Sequence, residues 1–292
     1  MSNQINPSTP PKDLSQEIAK LEQISMQKIR ARYRLVIALR LVILIVTLGG
    51  WELCGQYGVI DPFFFSMPSQ ILNQIVVWIT EGTSQGSLWQ QILVTLEETT
   101  IGFLIGSVLG IICGIALGRN KLLADIFSIY IKVANSIPRV VLGSIFIIAL
   151  GLGMASKIAL AVVMVFFVVF SNAFQGVREA DGNLIANAKI LGASPRQITY
   201  DVILPSTLSW ILASLHVSFG FALVGAVVGE FLGSKQGIGL LIATAQGTFN
   251  AAGVFAAMIV LAIVALLAEF LITRLEDHLL KWKPVGFSDQ PL

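Results

Sequence analysis

An all-α integral membrane protein of about six transmembrane helices is the fold class this sequence predicts. Three observations carry that prediction. Of the 292 residues, 55% are hydrophobic and only 12% charged, against roughly 25% charged in an average soluble domain. The apolar residues fall in uncharged runs of bilayer length. The basic residues gather on one side when those runs alternate across a membrane.

Met1 to Lys12 is polar and proline-bearing, which predicts a disordered start. From Asp13 to Arg34, the residues Leu14, Ile18, Leu21 and Ile29 fall near one helical face, ringed by Lys20, Lys28, Arg30, Arg32 and Arg34. This pattern fits an amphipathic helix lying in the headgroup layer, or a solvated basic tail that only sets topology. No cleavable signal peptide is expected, because the first apolar run starts after about thirty mostly polar residues.

Val36 to Trp51 is the first span, with Arg40 placed to snorkel at its cytoplasmic end. Pro68-Ser69 opens a short helical pattern through Ile71, Leu72, Ile75 and Val76 to Trp78. It is too short to cross and suits the outer interface, where Trp78 and Trp89 belong. Gly82-Thr83-Ser84-Gln85-Gly86 matches a nucleophile-elbow spacing. That motif needs a strand before it and a helix after it, so the segment reads as a flexible turn.

Leu96 to Gly118 is the second span. Gly102, Gly106, Gly110, Gly114 and Gly118 recur every fourth residue, leaving a stripe of bare backbone on one helix face. Such a stripe predicts a helix-packing seam. Glu97 and Glu98 open this span near the outer surface. Leu122 to Leu150 is long and broken at Pro138, which cannot donate to the helix ladder; Lys132 and Arg139 flank the break. Ile158 to Val177 is the fourth span, with Ser171 and Asn172 as its polar pair. Ser206 to Gly233 is the fifth, with His216 and Glu230 inside it and a second seam at Gly225, Gly229 and Gly233. Val254 to Leu271 is the sixth, with Glu269 toward its end, and Arg274, His278, Lys281 and Lys283 follow as a basic tail. Four segments result: 1–34, a tail and amphipathic helix; 35–92, the first span and an external interfacial stretch; 93–277, the core; and 278–292, a tail.

Between the fourth and fifth spans lies a polar island, Glu179 to Pro205. The residues through Ala188 read as a short helix, and Gly192 is its natural left-handed terminator. Ser194, Pro195 and Gln197 fall at N-cap, N1 and N3 of a second short helix, a capping box. It runs into Leu204-Pro205. A helix–glycine–helix elbow across a membrane face has a docking shape.

The same residues carry a resemblance. The permease subunits of binding-protein-dependent ABC importers bear a cytoplasmic loop patterned E-A-A-x-x-x-G-x(9)-I-x-L-P. Here it reads Ala186-Asn187-Ala188, Gly192, Val202 and Leu204-Pro205. Alanine replaces the leading glutamate, asparagine the first alanine and valine the isoleucine. Around the loop, from about Trp51 to Pro284, the chain resembles the nitrate/sulfonate/taurine/bicarbonate subfamily of these permeases. The resemblance implies a type I importer permease fold and a coupling role for Ala186, Ala188, Gly192, Ala193, Leu204 and Pro205. It also implies ATPase partner subunits, a periplasmic or lipid-anchored solute-binding protein, and a second permease, as a homodimer or a pseudo-symmetric pair with the pathway near the two-fold axis. Substrate would be a small anion, and the membrane the bacterial inner membrane.

Charge tests that topology separately. With the N-terminus cytoplasmic and six alternating spans, only Lys157 and Lys235 of the 19 Lys and Arg residues fall outside. Lys132 and Arg139 stay in the membrane, and the other fifteen lie inside. Both termini and the Gly192 elbow are then cytoplasmic.

Several chemistries are missing from the sequence. The dipeptide Gly-Lys does not occur, so no phosphate-cradling P-loop can form. ATP and its magnesium ion are therefore expected on the partner ATPase, with no cofactor or metal on this chain. Cys54 and Cys113 match no metal or redox spacing and read as small buried apolar residues. The net charge of +2 gives no reason to expect nucleic acid. With two distant histidines and no nucleophile–base grouping, the chain reads as a non-enzyme.

The candidate pathway residues are Arg139, Ser171, Asn172, His216 and Glu230. A guanidinium suits an oxyanion; Arg139 equally suits pairing with Asp125 or Glu230, or snorkelling to an interface. Ser171 and Asn172 either line the pathway or bond between helices, and Glu230 either closes a gate or caps the break before Gly233. An ion- or proton-coupled transporter acting alone, with Glu230, Glu269 and Arg139 as a relay, is the alternative to an ATP-driven importer. A scaffold is a third reading.

Overall fold

A computed structural model describes residues 12–180 and 182–279, with side chains over 26–274 apart from 121 and 181. The expectations for 1–11, for the side chains of Leu14, Ile18, Leu21 and His278, and for the tail from 280 onward lie outside the described residues. Contacts divide the chain into two compact units at Pro62/Phe63.

The first unit is dominated by one helix, α1 (Lys12–Gln56). Two elements were expected here, an interfacial helix and then a span. One continuous helix forms because neither proline nor glycine interrupts the sequence from Lys12 to Leu48. At 1.5 Å per residue its 45 residues run roughly 68 Å, more than twice the ~30 Å of a hydrocarbon core. Its apolar stretch, Met26–Gln56, is long enough to cross.

The second unit is a helical bundle. Its elements are α2 (Pro62–Phe65, which contains the boundary), α3 (Pro68–Thr80), α4 (Leu88–Arg119), α5 (Lys121–Ser136), a 3₁₀ turn (Arg139–Val141) and α6 (Leu142–Leu150). They continue through α7 (Met154–Arg178), α8 (Gly182–Ile190), α9 (Pro195–Gln197), a π-helical turn (Ile198–Ile203), α10 (Leu204–Leu232), α11 (Ile238–Gly247) and α12 (Ala251–Leu279). Across the described residues, five helices are long and apolar enough to cross a membrane. α5 and α6, bent by 75°, make a sixth if counted as one broken span.

The glycine seam of α4 sets the register of the core. A Cβ on Gly106 would meet Val165 Cβ at 2.8 Å, on Gly110 Val169 Cβ at 2.9 Å, on Gly114 Ala173 Cβ at 2.7 Å, and on Gly118 Val177 Cβ at 2.8 Å. Gly102 lies as tightly on Ala161. Partner numbers rise with glycine numbers, so α4 and α7 run parallel, backbone to backbone, for more than four turns. On the other face of α7 the order reverses: Gly225 meets Ala161, Gly229 meets Lys157, and Gly176 meets Thr207 and Trp210. α10 is therefore antiparallel to α7. Ala161, Val165, Val169 and Ala222 form the centre of this core. It follows that α4 and α7 begin at the end of the bundle where α10 finishes. The Glu179–Pro205 elbow lies at the opposite end.

The segment Gly82–Gly86, expected to be a flexible turn, is a small closed hairpin. Thr83 and Gly86 exchange both backbone bonds, at 2.7 and 3.1 Å. Gln91 Nε2 donates to Gln85 O, and Gln85 Nε2 donates to Thr244 Oγ1, so the turn is tied to both α4 and α11.

Candidate functional site

At the elbow end, α8 closes as its residues dictate. Gly192 takes φ +82°, its N–H donates to Lys189 O, and Ala193 N–H donates to Ala188 O, both at 3.0 Å. This is a Schellman termination. Ser194 Oγ accepts from Gln197 N–H, and Ser194 N–H donates to Gln197 Oε1 at 2.8 Å, completing the capping box. Downstream, no separate second helix is found. Residues 195–232 form one helix with a π turn inside it. Pro205 has no N–H for the ordinary ladder, and Leu204 N–H reaches back five residues to Thr199 O. Ala186 is exposed, Ala188 and Ala193 are half-buried, and a Cβ on Gly192 would meet nothing. The apolar residues most open at the elbow are Ile190 and Leu191, 82% and 86% exposed, with Tyr200 beside them at 68%. The loop pattern does not single these out, because it records the backbone turn and not the side chains at its crest.

At the other end of the bundle is a fully buried polar cluster. Glu230 on α10 accepts from Thr95 Oγ1 on α4 and from Gly239 N–H on α11, each at 2.7 Å. Gln91 Oε1 accepts from Gly237 N–H at 2.8 Å, and Thr95 Oγ1 accepts from Ile238 N–H at 2.9 Å. Three side chains from two helices thus cap the first N–H groups of α11, with a carboxylate at its positive end. Glu230 therefore caps the next helix rather than the end of its own span. The glycines at 237 and 239 follow from this: a Cβ at either would collide with Glu230.

Glu98 and Lys157 join the same cluster. Glu98, in the early part of α4, is 2% exposed, and its Oε2 has no hydrogen-bond partner. Lys157 is wholly buried. Its Nζ donates to Leu152 O at 2.8 Å and Gly153 O at 3.2 Å, in the turn between α6 and α7. Both Lys157 and Glu230 lie close enough to act on the charge of Glu98. The sequence shows Lys157 only as a charge on an apolar run after two glycines. Its burial depends on the bare backbone of Gly229, 72 positions away.

Arg139 sits at the break between α5 and α6, half-buried. Its Nη2 donates to Asn135 Oδ1 at 2.7 Å, and its guanidinium lies 5.0 Å above the ring of Phe167 on α7. Those contacts involve neither Asp125 nor Glu230. Ser171, one turn beyond Phe167, is exposed and donates to Phe167 O. Asn172 donates to Val168 O. His216 on α10 instead lies 3.3 Å from Glu269 on α12. The five candidate pathway residues are thus not gathered at one site: Arg139 lies on Phe167, Ser171 and Asn172 bond back within α7, His216 lies by Glu269, and Glu230 is in the buried cluster. The relay of Glu230, Glu269 and Arg139 is divided in the same way.

The model of the family described as binding-protein-dependent transport system inner membrane component matches residues 106–281. The chain is similar to the putative aliphatic sulfonates transport permease protein SsuC of Bacillus subtilis, 31% identical over 87% of this chain and 90% of that protein. It is also similar to the taurine transport system permease protein TauC of Escherichia coli, 28% identical over 89% and 96% respectively. Among solved structures it resembles a chain of the MetNI methionine ABC transporter in an inward-facing conformation. The TM-score is 0.57 and the identity 20%, over 66% of this chain and 94% of the other.

Proposed function

Because the chain belongs to the family of binding-protein-dependent transport system inner membrane components, we propose that it forms the pathway of an ATP-driven importer for small sulfonates or similar oxyanions. It would work as a homodimer in the bacterial inner membrane with both termini inside, alongside separate ATPase and solute-binding subunits. One observation carries this reading. The elbow is rigidly capped, presents Ile190 and Leu191, and stands at the end of the bundle opposite the Glu230 cluster. A surface so placed suits an ATPase on the inner side. Two long apolar side chains there would supply the buried anchors a docking contact needs.

The substrate class rests on likeness to the sulfonate and taurine permeases and on Arg139, whose planar fork suits oxyanions. Hydrolysis of ATP, with its magnesium, belongs to the partner. ATP binding would move the elbow, and the α4–α7–α10 core would carry that motion outward.

The test is reconstitution. The chain is co-expressed with its neighbouring ATPase and binding-protein genes, placed in liposomes and assayed for ATP-dependent uptake of taurine and ethanesulfonate. Ile190→Glu with Leu191→Glu should abolish co-purification of the ATPase. Uptake driven by an ion gradient without the ATPase would overturn the proposal.

A further inference from the structure

Pro138 leaves a gap in the third span, and Arg139 is the side chain that bridges it. α5 ends at Ser136; Ile137 and Pro138 are extended, with ψ of 127° and 104°. The backbone ladder restarts at Val141, whose N–H reaches Pro138 O at 3.0 Å. Arg139 Nη2 reaches back over that gap to Asn135 in the last turn of α5. The same guanidinium rests on Phe167 of α7.

α5 has little else to fix it. Ala124 is its one buried residue among those described, Ile131 is half-buried, and Ile126, Phe127, Ile129, Tyr130 and Val133 are exposed. α7, by contrast, buries eleven residues. A half-span held at a proline break is the part of the bundle best placed to swing.

We infer that Arg139 is a substrate-released pin: with no anion bound it holds the end of α5 against α7, and an oxyanion entering the pathway takes its donors and frees α5 to move. This rests on the oxyanion reading given above. The chemistry follows from the guanidinium. Its bond to Asn135 is to a neutral amide, and a sulfonate offers three oxygens carrying a full charge. Both bonds have a charged donor, but only the anion adds the attraction of opposite full charges and can take the planar fork through two parallel bonds. An anion therefore competes for Arg139 where a neutral solute of the same size does not. A ligand shifts a two-state element only by its differential affinity for the two states, and loss of the Asn135 bond supplies that difference.

The experiment uses the complete complex in nanodiscs. Spin labels replace Tyr130 on α5 and Gln175 on α7, with Cys54 and Cys113 changed to alanine, and the distance distribution is recorded without and with ethanesulfonate. In the ligand-free complex, Asn135→Ala should add a second distance population. Asn135→Asp, which turns the amide into a carboxylate partner for Arg139, should keep the parent's single population, resist the change that ethanesulfonate causes, and raise the ethanesulfonate needed for half-maximal ATPase stimulation about tenfold. Ethanesulfonate added to the parent complex should mimic Asn135→Ala. If Asn135→Ala matches the parent without ligand, the pin is overturned whatever the substrate. If Asn135→Ala behaves as stated but ethanesulfonate moves nothing, the pin stands and the release by an oxyanion is overturned, and with it the substrate class.

Discussion

Gly239→Ala tests the tertiary cap of α11 directly. The added Cβ would land on the Val227 carbonyl of α10 and 2.7 Å from Glu230 Cβ. A backbone carbonyl cannot rotate away as a flexible side-chain tip can, so the start of α11 must retreat. Ordinary contact needs about 3.4 Å or more, which calls for a shift of about 1 Å. The three cap bonds measure 2.7, 2.8 and 2.9 Å. Stretched by that much, each leaves the ~2.7–3.2 Å range of an N–H···O bond. Two are bonds to neutral acceptors, worth about 1 kcal/mol each, and one is to a carboxylate, worth about 1.5–3 kcal/mol. The expected loss is therefore about 3.5–5 kcal/mol. Gly220→Ala is the matched control. It lies inside α10 with nothing within 4 Å of the added methyl, and should gain about 0.5–1 kcal/mol from helix propensity alone. Steric-trapping unfolding of the purified chain in bicelles measures both. If Gly239→Ala falls within about 0.5 kcal/mol of the parent, as an ordinary surface change would, α11 is not held by this cap.

Gly110→Leu should separate α4 from α7, since even a Cβ there meets Phe166 O and Phe170 N at 3.0 Å; a loss above about 3 kcal/mol is expected, read by the same unfolding assay. Gly192→Val forces a β-branched residue to φ +82° at a cost of about 1–3 kcal/mol, and should lower uptake per ATP hydrolysed in the reconstituted complex. Ser194→Ala removes half of the capping box and should cost about 1 kcal/mol, seen as faster amide exchange confined to 194–198. Glu230→Gln should cost about 1–3 kcal/mol, because an amide has one acceptor oxygen for two donors.

Where structure depends on neighbours a few residues apart, the sequence was legible. The Schellman turn at Gly192 and the capping box at Ser194 involve donors and acceptors within five positions of one another. The break at Pro138 needs only the missing N–H. The glycine period of α4 disclosed a seam but not its partner, because Ala161, Val165 and Val169 look like any apolar stretch until α4 is laid on them. α11 escaped notice altogether. Its caps are Gln91, Thr95 and Glu230, so no local signal marks its start. Lys157 misleads for the same reason: an ammonium at the head of an apolar run reads as exposed unless the carbonyls and carboxylates around it are known. The π turn at 198–203 follows from Pro205, yet proline alone does not say whether a helix breaks or widens.

The two ends of the core are mechanically joined, and this follows from register alone. α4 and α7 touch through backbone at five successive glycines, and α7 and α10 touch at Gly176, Gly225 and Gly229. Contacts of this kind leave no side chain to yield, so sliding one helix on another meets carbonyls and Cβ atoms within one turn. At the far end Glu230 ties α10 to α4 and α11. A push on the elbow at Gly192 would enter a helix that runs from Pro195 through the π turn at 198–203 to Leu232, with the Glu230 cluster at its far end. Compliance must then lie where backbone contact is lacking. In the described part of this unit, α5 fits best, with only Ala124 buried and cut off from α6 by Pro138. A rigid three-helix strut beside one hinged half-span is therefore the mechanical division this packing imposes.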